Sequence, residues 1–187
     1  YDDCINSSGI IKFNGGFTYC KGNGNDGVDS NYGKAGAITI TGGVMIGMSF
    51  KGSPEEGIDC DADYIVLSGG YVFSCGGAMS SYPSGISSAT QSAAMLSSLS
   101  LTNGSYYTLE CNGTKLWTIK MPAGFSSSYS LVSAPDVLTG KTCHFYSGTT
   151  APTSSTSSYN NCFWIAPAVT TSSTMKTWTQ SSSYVKN

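Results

Sequence analysis

Three copies of one short phrase open this chain: Asp3-Cys4-Ile5-Asn6-Ser7, Asp26-Gly27-Val28-Asp29-Ser30 and Glu56-Gly57-Ile58-Asp59-Cys60. Each is followed by a β-branched run and a glycine pair, Gly15-Gly16, Gly42-Gly43 and Gly69-Gly70, with successive pairs 27 residues apart. A fixed period of this length, built on strand patterns, marks a stacked solenoid in which each period is one rung. Equivalent side chains then lie above one another. An acid in the phrase becomes a column of acids, and the chemistry of that column is where function is to be sought.

The rungs read as strand, glycine pair, strand. The first has Ile10–Phe13 and Phe17–Cys20, the second Ala37–Thr41 and Val44–Ile46, the third Tyr64–Leu67 and Tyr71–Phe73. The alternation of Ile38 and Ile40 sends apolar side chains to one face, the inside of a coil. The glycine pairs permit positive φ and predict a sharp corner. Residues 1–85 are therefore expected to form the rungs. Residues 86–187 are expected to form a β-rich module that covers the C-terminal end, since a terminal rung exposes strand edges. Within that module Ala89–Leu99 reads as a short helix or an irregular cover. A hairpin is predicted over Tyr106–Cys111 and Lys115–Ile119 about the turn Asn112-Gly113. Further strands are expected at 128–132, 142–146, 162–165 and 175–179.

Charge is scarce and uneven. Of 187 residues 11% are charged, and the net charge is −2. Residues 1–63 hold nine of the eleven acids and four of the nine lysines. There is no arginine, hence no guanidinium to read bases and no basic patch, which argues against nucleic acid as a partner. No apolar run is long enough to cross a membrane as a helix. The sequence opens on Tyr1-Asp2-Asp3 without a leader pattern, as a mature or trimmed chain does. The seven cysteines include no C-x-x-C pair, against a zinc or redox motif. With the low charge and the wealth of Ser and Thr, they favour an oxidising, extracellular setting. The expected bridges are Cys4–Cys20, Cys60–Cys75 and Cys111–Cys143. Asn6, Asn103 and Asn112 each begin an N-glycosylation pattern.

The phrase D-G-[IV]-D-[SC], a strand, a glycine pair and a second strand, then Pro54-Glu55-Glu56-Gly57-Ile58-Asp59-Cys60-Asp61, resembles a family of secreted bacterial carbohydrate-binding proteins. Ser133-Ala134-Pro135-Asp136-Val137-Leu138-Thr139-Gly140, with Tyr146 and Gly148 beyond, is similar to a later segment of that family. The resemblance spans roughly residues 20–148. It implies an all-β fold, a short right-handed parallel β-helix of about three rungs with a C-terminal antiparallel hairpin module, related in fold to pectate lyases. It also implies binding of acidic or cellulosic polysaccharide, with calcium held by aspartates of the rungs.

The residues themselves point the same way on calcium. Stacked rungs lie about 4.8 Å apart, so a column of Asp29 and Asp59, with Asp26, Glu56 and Asp61 beside it and Asn6 level with it, brings like charges together. Calcium, which takes six to eight oxygens at about 2.3–2.6 Å, relieves that repulsion. The bland alternative is that these are turn aspartates bonded to backbone. Catalysis is not expected. A lyase of the pectate type uses an arginine base, and His144 is the one histidine, too little for a triad. Sugar binding calls for aromatic platforms, here Trp117, Trp164, Trp178 or any of the twelve tyrosines, against core packing as the alternative, which the alternating strand of Trp117 favours. The expected function is thus calcium-dependent, non-catalytic binding of acidic polysaccharide outside the cell. The alternative is a structural subunit that stacks head to tail into an extracellular filament through its uncapped first rung.

Overall fold

The computed structural model describes residues 2–34, 36–61, 65–77 and 91–187. Tyr64 and the expected boundary between rungs and module, near residue 85, lie outside them. The protein is all-β. In the first part the strands are β1 (Ile5–Ser7), β2 (Ile11–Phe13), β3 (Phe17–Gly22), β4 (Val28–Ser30), β5 (Ile38–Ser49), β6 (Ile58–Cys60) and β7 (Ile65–Gly76). The remainder are β8 (Ala93–Leu101), β9 (Tyr106–Cys111), β10 (Thr114–Lys120), β11 (Phe125–Ser133), β12 (Thr142–Thr149), β13 (Ser157–Tyr159), β14 (Phe163–Ile165), β15 (Ser173–Thr179) and β16 (Tyr184–Lys186).

The repeats stack in register. Sheet A is β1-β4-β6, wholly parallel, with Asn6 opposite Asp29 and Asp29 opposite Asp59. The second half of each repeat stacks in the same sense in sheet B. There Ile11, Ile38 and Ile65 are level, as are Phe17, Val44 and Tyr71. Sheet B then continues past the repeats. β11 pairs antiparallel with β7, β8 with β11, and β16 parallel with β8. The expected cover over the last repeat is thus built by strand addition to β7, and one mixed sheet is shared by both parts of the chain. Sheet C, ordered β13-β14-β10-β9-β12-β15, is antiparallel throughout.

Two apolar cores lie on opposite faces of sheet B. Val28 and Ile58 of sheet A meet Ile38, Ile40, Ile65 and Leu67 on one side. On the other, Ile46, Met48 and Phe73 meet Leu109, Trp117, Phe145 and Phe163 of sheet C. Burial on both faces explains one error of the sequence reading. Ala93–Leu101 is a strand, not a helix or an irregular cover. Ala93 and Met95 enter the first core while Ala94 and Leu96 enter the second, so the strand shows a continuous apolar run instead of alternation.

The glycine pairs are also other than expected. β5 and β7 run straight through Gly42-Gly43 and Gly69-Gly70, with a register shift there and positive φ at Gly43 and Gly70. They make bulges, not corners. The pairs stack backbone on backbone: a Cβ on Gly43 would collide with the carbonyl oxygen of Gly16, and one on Gly69 with that of Thr41. The bulge turns the strand over, so Ile38 and Ile40 face sheet A while Val44 and Ile46 face sheet C.

Candidate functional site

The short strands of sheet A carry the acids to one edge of the molecule. Backbone hydrogen bonds run from Cys4 N–H to the Asp26 carbonyl, and from Gly27 N–H to that of Glu56. Asp3, Asp26 and Glu56 therefore occupy three successive levels. The first two side chains each reach one level on. The Asp26 N–H donates to Asp3 Oδ1 at 2.9 Å, and the Glu56 N–H donates to Asp26 Oδ1. Beside this ladder the Asn6 amide donates at 2.7 Å both to Asp3 Oδ2 and to Asp29 Oδ2, and Asn31 donates to the same Asp29 oxygen at 2.7 Å.

One carboxylate oxygen from each of Asp3, Asp26 and Asp29 falls within 4.8 Å of the others. Asp26 and Asp29 are buried and Asp3 is half-buried. Burial pushes the Asp26 carboxyl up to about 7. The Glu56 N–H pulls the other way, and the charges of Asp59, Glu55 and Asp3 add to the rise. Burial likewise lifts Asp29 to about 6, against the Asn31 hydrogen bond and with help from Asp59, Asp3 and Asp61. At neutral pH the cluster is poised between a bound proton and full charge. A proton or a cation can neutralise it.

Of the residues expected to hold metal, Asp26 and Asp29 come together. Glu56 lies one level on and meets Asp26 through its backbone. Asp59 is level with Asp29 on the third strand, and Asp61 is exposed beyond it. Asp3 and Asn31 were missed. The signal for Asp3 was in the repeat, where it occupies the place of Asp26 and Glu56.

The tryptophans separate cleanly. Trp117 is wholly buried among Phe73, Phe145 and Phe163, and its Nε1 donates to the Ser133 carbonyl. Trp178 is 6% exposed and donates to Gln180 Oε1. Both belong to the core, as the alternating strand favours for Trp117, and neither leaves an open ring face for a sugar, which corrects the sugar-platform expectation for Trp178. Trp164 differs. It is half-buried on β14, alternating with core-facing Phe163, so its ring stands on the outer face of sheet C. There it meets Tyr106 with ring centroids 5.7 Å apart, and Lys120 Nζ lies 5.7 Å from the centre of the Tyr106 ring. Farther along the same face Tyr146 donates to Glu110 Oε1 at 3.4 Å and packs against His144. Tyr106 and Lys120 were not singled out from the sequence. Only the pairing of Tyr106 with Lys120 and of Trp164 with Thr118 brings them together.

Cys111 and Cys143 face each other across β9 and β12 and form the expected disulfide. Cys4, Cys20, Cys60 and Cys75 are unbridged. The expected Cys60–Cys75 bridge is ruled out by the fold, because Cys60 enters the core on one side of sheet B and Cys75 the core on the other. Asn103 and Asn112 are exposed in turns. Asn6 is exposed too, but its amide is committed to two carboxylates.

The fold and the site define an all-β protein of three layered sheets with a carboxylate ladder along the smallest sheet. No helix among the described residues is long and apolar enough to cross a membrane. Compared with known proteins, the chain matches no family model, no curated protein and no solved structure.

Proposed function

We propose that this protein is a non-catalytic carbohydrate-binding protein that acts outside the cell and recognises acidic polysaccharide. The observation that carries the reading is the outer face of sheet C, where Trp164 and Tyr106 form a half-buried aromatic pair with Lys120 beside it. Aromatic faces stack on sugar C–H groups, and an ammonium at their rim pairs with a uronate carboxylate. The parallel stacking of the repeat strands within sheets A and B supports reading the repeats as a short right-handed parallel β-helix. Calcium at the Asp3, Asp26 and Asp29 carboxylates is part of the same proposal. It offers hard oxygen ligands a cation suited to them and relieves like charges held close in a poorly solvated place.

A second reading, a filament subunit, is favoured by the open side of the first repeat. Among the described residues β1 ends sheet A, and β2 and β3 have no strand beyond them. Such edges are templates for a neighbouring chain. Sedimentation of the purified chain with and without polygalacturonate separates the two. A monomer that co-sediments with polygalacturonate, and loses at least tenfold in affinity on Trp164→Ala, supports the binder. Large particles without glycan support the filament. A monomer that ignores every acidic glycan defeats both readings.

A further inference from the structure

We infer that Cys4 and Cys20 are a covalent modification site, joining as a second disulfide that clasps the first repeat across its own coil. This inference does not depend on the glycan reading. The repeat carries it. Cys4 occupies the place held by Gly27 and Gly57 in the later copies of the phrase, and its N–H bonds to Asp26 as that of Gly27 bonds to Glu56. Cys20 is level with Gly47 and Ser74 on the stacked strands β3, β5 and β7.

In the third copy these two places touch: a Cβ on Gly57 would collide with the Ser74 hydroxyl. In the second, a Cβ on Gly27 would stand 2.7 Å from the amide nitrogen of Met48, the residue after Gly47. In both later repeats the two halves come so near that only glycine fits on the phrase side. In the first repeat the same two places are held by Cys4 and Cys20, and the nearness of Cys4 adds to burial in pushing the Cys20 thiol up. Cys4 is exposed, so an oxidant in solution reaches it, while Cys20 is buried behind it. The clasp falls where it matters most, on the repeat whose strands β1, β2 and β3 have a stacked neighbour on one side only among the described residues.

The oxidant is a small disulfide such as oxidised glutathione. The Cys4 thiolate attacks one of its sulfurs, forming a mixed disulfide and releasing one small thiolate. The Cys20 thiolate then displaces the second small thiolate and completes the Cys4–Cys20 bond. Two cysteine thiols are oxidised, one small disulfide is reduced to two thiols, and the two protons from the cysteines pass to the released thiolates.

Lys12 lies between the two cysteines, so trypsin places them on different peptides unless they are bridged. The intact protein is equilibrated with excess oxidised glutathione, alkylated in denaturant and digested without reductant. The expected result is a linked pair of peptides carrying Cys4 and Cys20, with Cys60, Cys75 and Cys162 alkylated. Alkylation of both Cys4 and Cys20, or either one joined to a different cysteine, overturns the inference. In parallel, the double variant Cys4→Ser/Cys20→Ser is expected to melt about 5–10 °C below the oxidised protein, the effect of closing a loop of this length. The gap should vanish when both are measured in reductant. A gap that persists there reflects packing of the thiols and also overturns the bridge.

Discussion

Replacing Asp26 by Asn tests the physics of the carboxylate ladder directly. The amide keeps an oxygen to accept the Glu56 N–H but removes a charge that sits near Asp3, Asp29 and Asp59. The folded carboxyl titrates at about 7, against 3.8 for a free one. Because the folded value lies above the unfolded value, the folded state holds the proton more tightly, and stability falls as pH rises between the two. Each unit is worth about 1.4 kcal/mol. The cluster lies at the edge of a three-stranded sheet, so screening by water and salt takes a large share, and a net of order 2 kcal/mol remains. For a chain of this size that is about 4–8 °C in melting temperature. Calorimetry in EDTA should therefore find Asp26→Asn more stable than the parent at pH 8 by about that amount, with the gap narrowing as pH falls and closing only near about pH 3, below the free value, where the carboxyl is protonated in the folded and unfolded chain alike. Adding calcium at pH 8 should raise the parent's melting temperature and raise the variant's much less. A variant that is less stable than the parent at pH 8 in EDTA, with an unchanged pH profile, refutes the repulsion argument. A parent indifferent to calcium and chelator at pH 8 removes the cation while leaving the proton.

Two further substitutions test the frame. Gly57→Ala drives a Cβ into the Gly47 carbonyl and the Ser74 hydroxyl, and should cost about 2–4 kcal/mol; Gly9→Ala, whose nearest new neighbour is 3.7 Å away, should change stability by less than about 0.5 kcal/mol in the same denaturation series. Trp117→Ala empties the centre of the core between sheets B and C and should cost about 3–5 kcal/mol in urea unfolding. A loss under about 1 kcal/mol would show that Trp117 is not the core residue its burial indicates.

Register was legible in the sequence because a solenoid repeats its residues as well as its backbone. The level placement of Asn6, Asp29 and Asp59 follows from aligning three short phrases, and it holds in sheet A. The membership of the carboxylate group was legible only in part. Asp3 and Asp26 each reach one level on, so the residues that converge come from two positions of the phrase, and Asp3 joins the expected Asp26 and Asp29. The role of β8 was hidden by burial on both faces, which erases the period of two. The Tyr106–Trp164 pair was hidden for another reason. The two rings are 58 residues apart in sequence and meet only because β10 lies between β9 and β14.

The first level of the ladder departs from the repeat in two places, and both departures have the same sense. Where the later levels have Asp29 and Asp59, the first has Asn6, and where they have Gly27 and Gly57 it has Cys4. A third aspartate at position 6 would add another charge to a cluster already poorly solvated. The amide instead donates to Asp3 and Asp29 and ends the column of like charge at its edge. Cys4 in turn holds the place of Gly57, and Cys20 that of Ser74, the two positions that touch in the third repeat. Lacking a stacked neighbour on its outer side among the described residues, the first level has fewer backbone bonds to hold its strands, so side-chain bonds take over that task. At the first level, then, the residue that breaks the acid pattern is the one whose amide ties Asp3 to Asp29 across two levels of the ladder.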